Sequence, residues 1–207
     1  MELLSDKSAG LSKRVETGFR RYLYDHINWN NRLTGIIGAR GTGKTTLLLQ
    51  KLHELDSPQN EAAYFSLDDL YFLGNPLVET ATEFYKKGGK HLFLDEVNKY
   101  PDWAGQIEKL YDLYPDLQIV FAGSSIIDQV DLGRHAVMYE LQGLSYREYL
   151  QYLRVPTIDA LSLEEILEKD SPWKKKFSPE FRPLQYFDNY LAKGYYPFFK
   201  EACLFFI

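Results

Sequence analysis

The sequence predicts an α/β protein: three layers built on a mainly parallel five-stranded sheet, with a small helical segment after it. Three observations lead there. Short apolar runs alternate with helix-patterned stretches between residues 33 and 141. A glycine-rich turn joins the first run to the helix behind it. Beyond Leu141 the texture shifts to aromatics and prolines, which sets a boundary near residues 142–156. The expected division is a core over 1–145 and a helical, aromatic-rich segment over 146–207.

Taken in order, residues 1–12 are polar and small, and are expected to fray. A helical pattern starts at Lys13, with Val15, Phe19, Tyr22 and Leu23 on one stripe. Asn28, Asn30 and Asn31 mark a turn. Leu33 to Ile37 reads as a short buried strand, and Thr45 to Leu55 as a Leu-rich helix that Ser57-Pro58 breaks. Ala62 to Leu67 is the second strand. Pro76 opens a helix that Lys86-Lys87-Gly88-Gly89 closes, with cations in the last turn and glycine as the stop. His91 to Leu94 is the third strand. Trp103, Ile107, Leu110 and Tyr114 form the buried stripe of a helix over 102–114. Gln118 to Ala122 and Val137 to Leu141 complete the set. Such alternation implies βαβ units with right-handed crossovers. In the second segment Tyr146, Tyr149, Leu150 and Leu153 make one helical stripe. Ser162 and Glu165 have capping-box spacing. Pro156, Pro172, Pro179 and Pro183 punctuate the rest.

Composition bounds the function. A chain of 207 residues can bury about 70% of its unfolded surface, so it needs neither disulfides nor a structural metal. Hydrophobic residues make up 45% and charged residues 26%, an ordinary globular balance. The net charge of −5 argues against a generally basic nucleic-acid coat. The single Cys203 excludes an intrachain disulfide and fits a reducing compartment. With no signal pattern and no apolar run of membrane length, a cytoplasmic protein without a membrane partner is expected. The apolar end Leu204-Phe205-Phe206-Ile207 either packs into a core or belongs to an element that this chain does not complete, and the second segment is expected to be incomplete.

Gly38-Ala39-Arg40-Gly41-Thr42-Gly43-Lys44-Thr45 fits G-x-x-x-x-G-K-[ST] in full, between a strand and a helix. Glycines let the backbone turn its N–H groups inward around phosphate oxygens. The helix that follows, beginning Thr45-Thr46, adds its positive end. Lys44 supplies a cation to the β- and γ-phosphates, and the Thr45 hydroxyl is a hard ligand suited to Mg²⁺. A plain strand-to-helix turn with an exposed lysine is the competing reading. The motif in this context leads to the expectation of a three-layer P-loop NTPase.

Leu92-Phe93-Leu94-Asp95-Glu96 is an apolar strand ending in two carboxylates. In a parallel sheet that end opens onto the ligand crevice. Asp95 is therefore expected to hold Mg²⁺ with Thr45, directly or through water. Glu96, one residue on, is the expected water-polarising base. Solvated acids at a strand end are the alternative. The next strand ends Gly123-Ser124-Ser125, where one serine can read a γ-phosphate and one can cap a helix.

Together these elements resemble a group of prokaryotic AAA-like ATPases that usually carry a C-terminal domain of unknown function. The resemblance covers roughly residues 14–200. It is carried by Gly38–Thr45, Phe93–Glu96, Pro101-Asp102-Trp103, Gly123-Ser124-Ser125, Gly133-Arg134 and Leu144-Ser145-Tyr146-Arg147-Glu148-Tyr149-Leu150. It implies strand order 5-1-4-3-2, with ATP and Mg²⁺ as ligands. This chain is shorter than most members, and has Tyr195-Tyr196 where paired glycines more often precede the proline. Arg134 occupies the position at which AAA-type proteins can present an arginine to a neighbouring subunit's γ-phosphate. It can equally pair with Asp131 or Glu140 on the surface.

Weaker signals stay open. Asp68 and Asp69 either assist a metal or cap a turn. Arg20 and Arg21 lie near an adenine site or on a solvated helix face. Lys174-Lys175-Lys176 reads as solvated surface, and the late aromatics as a packed cluster or interface. His26, His53, His91 and His135 lack metal-ligand spacing. The expected function is a Mg²⁺-dependent ATPase that couples hydrolysis to conformational change. The alternative is a slow nucleotide-dependent switch that binds a protein or DNA partner according to ATP or ADP occupancy, with a homo-oligomer possible in either case.

Overall fold

A computed structural model describes residues 2–56, 58, 61–124, 132, 135–157, 161–168 and 183–199. The chain forms two compact units, Met1–Gln142 and Gly143–Ile207.

In the first unit the strands are β1 (Leu33–Ile37), β2 (Ala62–Ser66), β3 (His91–Asp95), β4 (Gln118–Gly123) and β5 (Val137–Glu140). They lie in the order β2-β3-β4-β1-β5, every pairing parallel. Read from the other edge this is the expected 5-1-4-3-2. The helices are α1 (Glu2–Arg14), α2 (Lys44–Leu55), α3 (Leu77–Lys86) and α4 (Trp103–Leu113).

Alternation along each strand sorts side chains onto two faces. Leu92 and Leu94 of β3 join Leu33, Phe65, Phe84, Ile107, Leu110 and Phe121 on one face. Phe93, between them, joins Ile36, Leu47, Leu48, Val120 and Ala122 on the other. Two covered faces explain why the central strands read as unbroken apolar runs. Fully burying each large side chain contributes roughly 1.5–3 kcal/mol.

The N-terminus corrects the sequence reading. Residues 2–14 are helical, not frayed. The next helical turn is a 3₁₀ turn over Tyr22–His26, in which Tyr24 is buried while Tyr22 is 66% exposed. The cause is tertiary. Leu4 and Ser8 are buried and Leu11 is partly so, a stripe too thin in apolar residues to register as amphipathic. The helix packs on β2 and α2.

The second unit contains α5 (Tyr146–Tyr152) and α6 (Leu163–Leu167). Each opens on a complete capping box, Ser145 with Glu148 and Ser162 with Glu165. A turn over Pro183–Tyr186 leads through Phe187–Asn189 into a π-type turn, Tyr190–Gly194. Here the aromatics pack on one another: Tyr149 lies 5.4 Å from Tyr190 and 5.1 Å from Phe199, and Tyr146 lies 5.2 Å from Phe187. The Tyr190 hydroxyl donates to the Leu144 carbonyl at 2.8 Å.

Candidate functional site

Three elements converge at the carboxyl end of the sheet: the loop between β1 and α2, the end of β3, and the end of β4. The loop's geometry depends on its first and last glycines. A Cβ on Gly38 would lie 2.2 Å from the Leu141 carbonyl oxygen, so only glycine passes there. Gly43, the residue before α2, has φ +98°, a left-handed conformation that glycine adopts without strain. Thr42 is fully buried, and its hydroxyl donates to the Ala39 carbonyl at 2.9 Å, closing the loop on itself. Ala39 and Arg40 form its exposed tip, and Gly41 lies between tip and helix.

Lys44 is the first residue of α2, with Thr45 and Thr46 next. The Lys44 Nζ donates to the carbonyls of Gly38 and Ala39, each at 2.9 Å, which holds the ammonium inside the loop. Burial pushes this ammonium below its ordinary value, while the fields of Glu96 and Asp95 oppose that shift. The buried cation thus sits within the influence of both acids.

Asp95 is 1% exposed. A buried carboxylate needs donors, and three reach it. The Thr45 hydroxyl donates to Oδ2 at 2.5 Å and the Tyr64 hydroxyl to the same oxygen at 2.9 Å. The Glu96 N–H donates to Oδ1 at 2.9 Å. Burial, with Asp95 alongside, raises the Tyr64 phenol above the usual tyrosine range, so it stays a donor. Glu96 itself is half-buried and left-handed, with φ +52° and ψ +36°. Ser124 follows β4, and its N–H donates to the Asn98 Oδ1 at 3.2 Å.

The donor set suits Mg²⁺. A hydroxyl and a carboxylate, both hard oxygens, meet where the loop after β1 runs into α2. Among the described residues no group of three or more His, Cys, Asp or Glu could hold a metal. Two protein oxygens are nevertheless what a Mg²⁺ ion shared with phosphates needs.

Several other expectations resolve. Asp69 caps the 3₁₀ turn Leu70–Leu73 by accepting the Tyr71 N–H at 2.9 Å, and it pairs with Lys7. Its hydrogen bond with Lys7, then that from Tyr71, hold its carboxyl below the usual aspartate value. Asp68 accepts the Ser66 hydroxyl at 2.6 Å. Arg20 is surface-exposed and pairs with Glu54 at 3.0 Å. Arg21 is not a solvated residue: it is 6% exposed, bonded to the Thr42 carbonyl and, at 2.7 Å, to the Gln142 carbonyl. Ser125, Asp131, Gly133, Arg134, Lys174–Lys176 and Cys203 lie outside the described residues.

Sequence reasoning missed Tyr64 and Asn98. Strand register was the available signal for Tyr64. It pairs with Phe93, and Asp95 lies two residues along on the same face, within diagonal reach of a phenol. Nothing in the sequence marks Asn98.

A parallel sheet with this loop after β1 and an acid-ended strand two places away, β3, defines the P-loop NTPase class. The sequence profile of the AAA domain matches residues 30–150, more than half of the chain, and the chain belongs to that family. Its core is thus an AAA-type ATP-binding domain. No curated protein matches the sequence. Among solved structures, the signal transduction ATPase with numerous domains and a tetratricopeptide repeat sensor from Pyrococcus horikoshii superposes with a TM-score of 0.53 at 18% identity. That match covers 89% of this chain and 29% of the other. AMPPCP-bound DnaA from Aquifex aeolicus gives 0.44 at 18% identity, over 84% of this chain and 59% of that one. PCH-2 from C. elegans gives 0.42 at 16%, over 82% and 53%. The chain spans less than two thirds of each of these structures. At such identities the likeness is one of fold, and the first of the three carries it. No helix among the described residues is long and apolar enough to cross a membrane.

Proposed function

We propose that this chain is a cytoplasmic Mg²⁺-dependent ATPase whose core, residues 1–145, couples hydrolysis to movement of residues 146–207. The observation that carries this reading is the 2.5 Å hydrogen bond from Thr45 to Asp95, which joins the phosphate loop to the acidic strand end. Loop N–H groups and Lys44 bind the phosphates. Thr45 and Asp95 would hold Mg²⁺, which would supply charge neutralisation to the phosphates. Glu96 accepts a proton from the attacking water, and Ser124 lies at the strand end where the γ-phosphate is read. Ser125 and Arg134 complete the proposed catalytic set.

The test is Glu96→Gln. ATP binding by calorimetry should match wild type while turnover falls by at least about 100-fold. Turnover within a few-fold of wild type would remove Glu96 from its role. Negligible turnover in the wild type, with ATP and ADP giving different hydrodynamic sizes, would favour the switch.

A further inference from the structure

Tyr64 lies on the sheet's edge strand and its side chain is buried against the acid of the neighbouring strand. From its pairing with Phe93 the phenol reaches diagonally to Asp95 and donates to Oδ2 at 2.9 Å. That oxygen also accepts the Thr45 hydroxyl, at 2.5 Å. Oδ1 is taken by the Glu96 N–H. The carboxylate torsion of an aspartate is broad and two-fold, so only outside donors can fix which oxygen points where. We propose that Tyr64 is a positioning residue for the metal site: it locks Oδ2 of Asp95 toward Thr45, so that the Thr45 oxygen faces the metal.

A phenol suits this task where a lysine or arginine would not. It hydrogen-bonds the anion and adds no charge, so the carboxylate keeps its full attraction for a divalent cation. The phenol is itself well anchored. Its own backbone N–H donates to the Ser8 hydroxyl at 2.8 Å, and its strand is paired along its length with β3. Partners that orient a metal ligand without touching the metal affect affinity about as strongly as this role requires.

This inference rests on the Mg²⁺-ATP reading above, and the experiment separates the two. ATP binding is measured by calorimetry in EDTA and across a Mg²⁺ titration, for wild type, Lys44→Ala, Tyr64→Phe, Asp95→Asn and the double variant Tyr64→Phe/Asp95→Asn. Tyr64→Phe should bind ATP in EDTA as wild type does, with a Mg²⁺ midpoint raised about 10-fold. In the Asp95→Asn background the same change should add nothing, because Tyr64 acts through that carboxylate. An unshifted midpoint in Tyr64→Phe, with normal Mg²⁺-ATP binding by wild type and none by Lys44→Ala, overturns the inference and leaves the reading standing. Absence of ATP binding by wild type overturns both. If Tyr64→Phe melts below the assay temperature, its titration and that of wild type are run below its melting point, and an unshifted midpoint there overturns the inference.

Discussion

The guanidinium of Arg21 bridges two main-chain oxygens that are distant in sequence, Thr42 in the phosphate loop and Gln142 just past β5. A planar fork with fixed donors is suited to such a bridge, and a single ammonium is not. Arg21→Ala would leave both carbonyls short of a donor. It should lower stability to urea by about 1–3 kcal/mol and weaken ATP binding. Arg21→Lys should recover little of either. The separations of 21 and 121 residues explain why this role was not legible in the sequence. The grouping of Lys44 and Thr45 on one loop was legible for the opposite reason: the motif that places them is a single short run. Tyr64 falls between: its partner is 31 residues away, and only the strand register links them.

At the scale of elements, α1 solves a problem that every open sheet has. β2 is an edge strand, and unpaired N–H groups on an edge invite other chains. α1 lies against it, with Ser8 accepting the Tyr64 N–H and Lys7 reaching Asp69 beyond the strand. Ser8→Ala should reduce stability by about 1–2 kcal/mol, read by chemical denaturation, because a buried amide loses its acceptor. The five strands were readable as short apolar runs set between helices and turns, and three of the core helices by their own periodicity. α1 was not. Its buried face is small and partly polar, and its helicity comes from what it covers rather than from its composition.

Over the whole molecule, both faces of one sheet are buried while the carboxyl ends of its strands converge on a single crevice. A ligand held there touches β1, β3 and α2 at once, and so stabilises the core as a unit. At 100-fold saturation, ATP with Mg²⁺ should add about 2.7 kcal/mol and raise the melting temperature by several degrees. The shift should vanish in Lys44→Ala. Layering was legible because alternating strands and helices imply a parallel sheet covered on both faces, whereas the strand order came only with the family resemblance and the contacts that tie the layers together are long-range. Glu96 sets this global stability against the chemistry. An L-residue in a left-handed backbone carries a penalty of about 1 kcal/mol or more that glycine escapes. Glu96→Gly should therefore melt later than the natural protein while turning over nothing, a sturdier molecule that has lost its purpose.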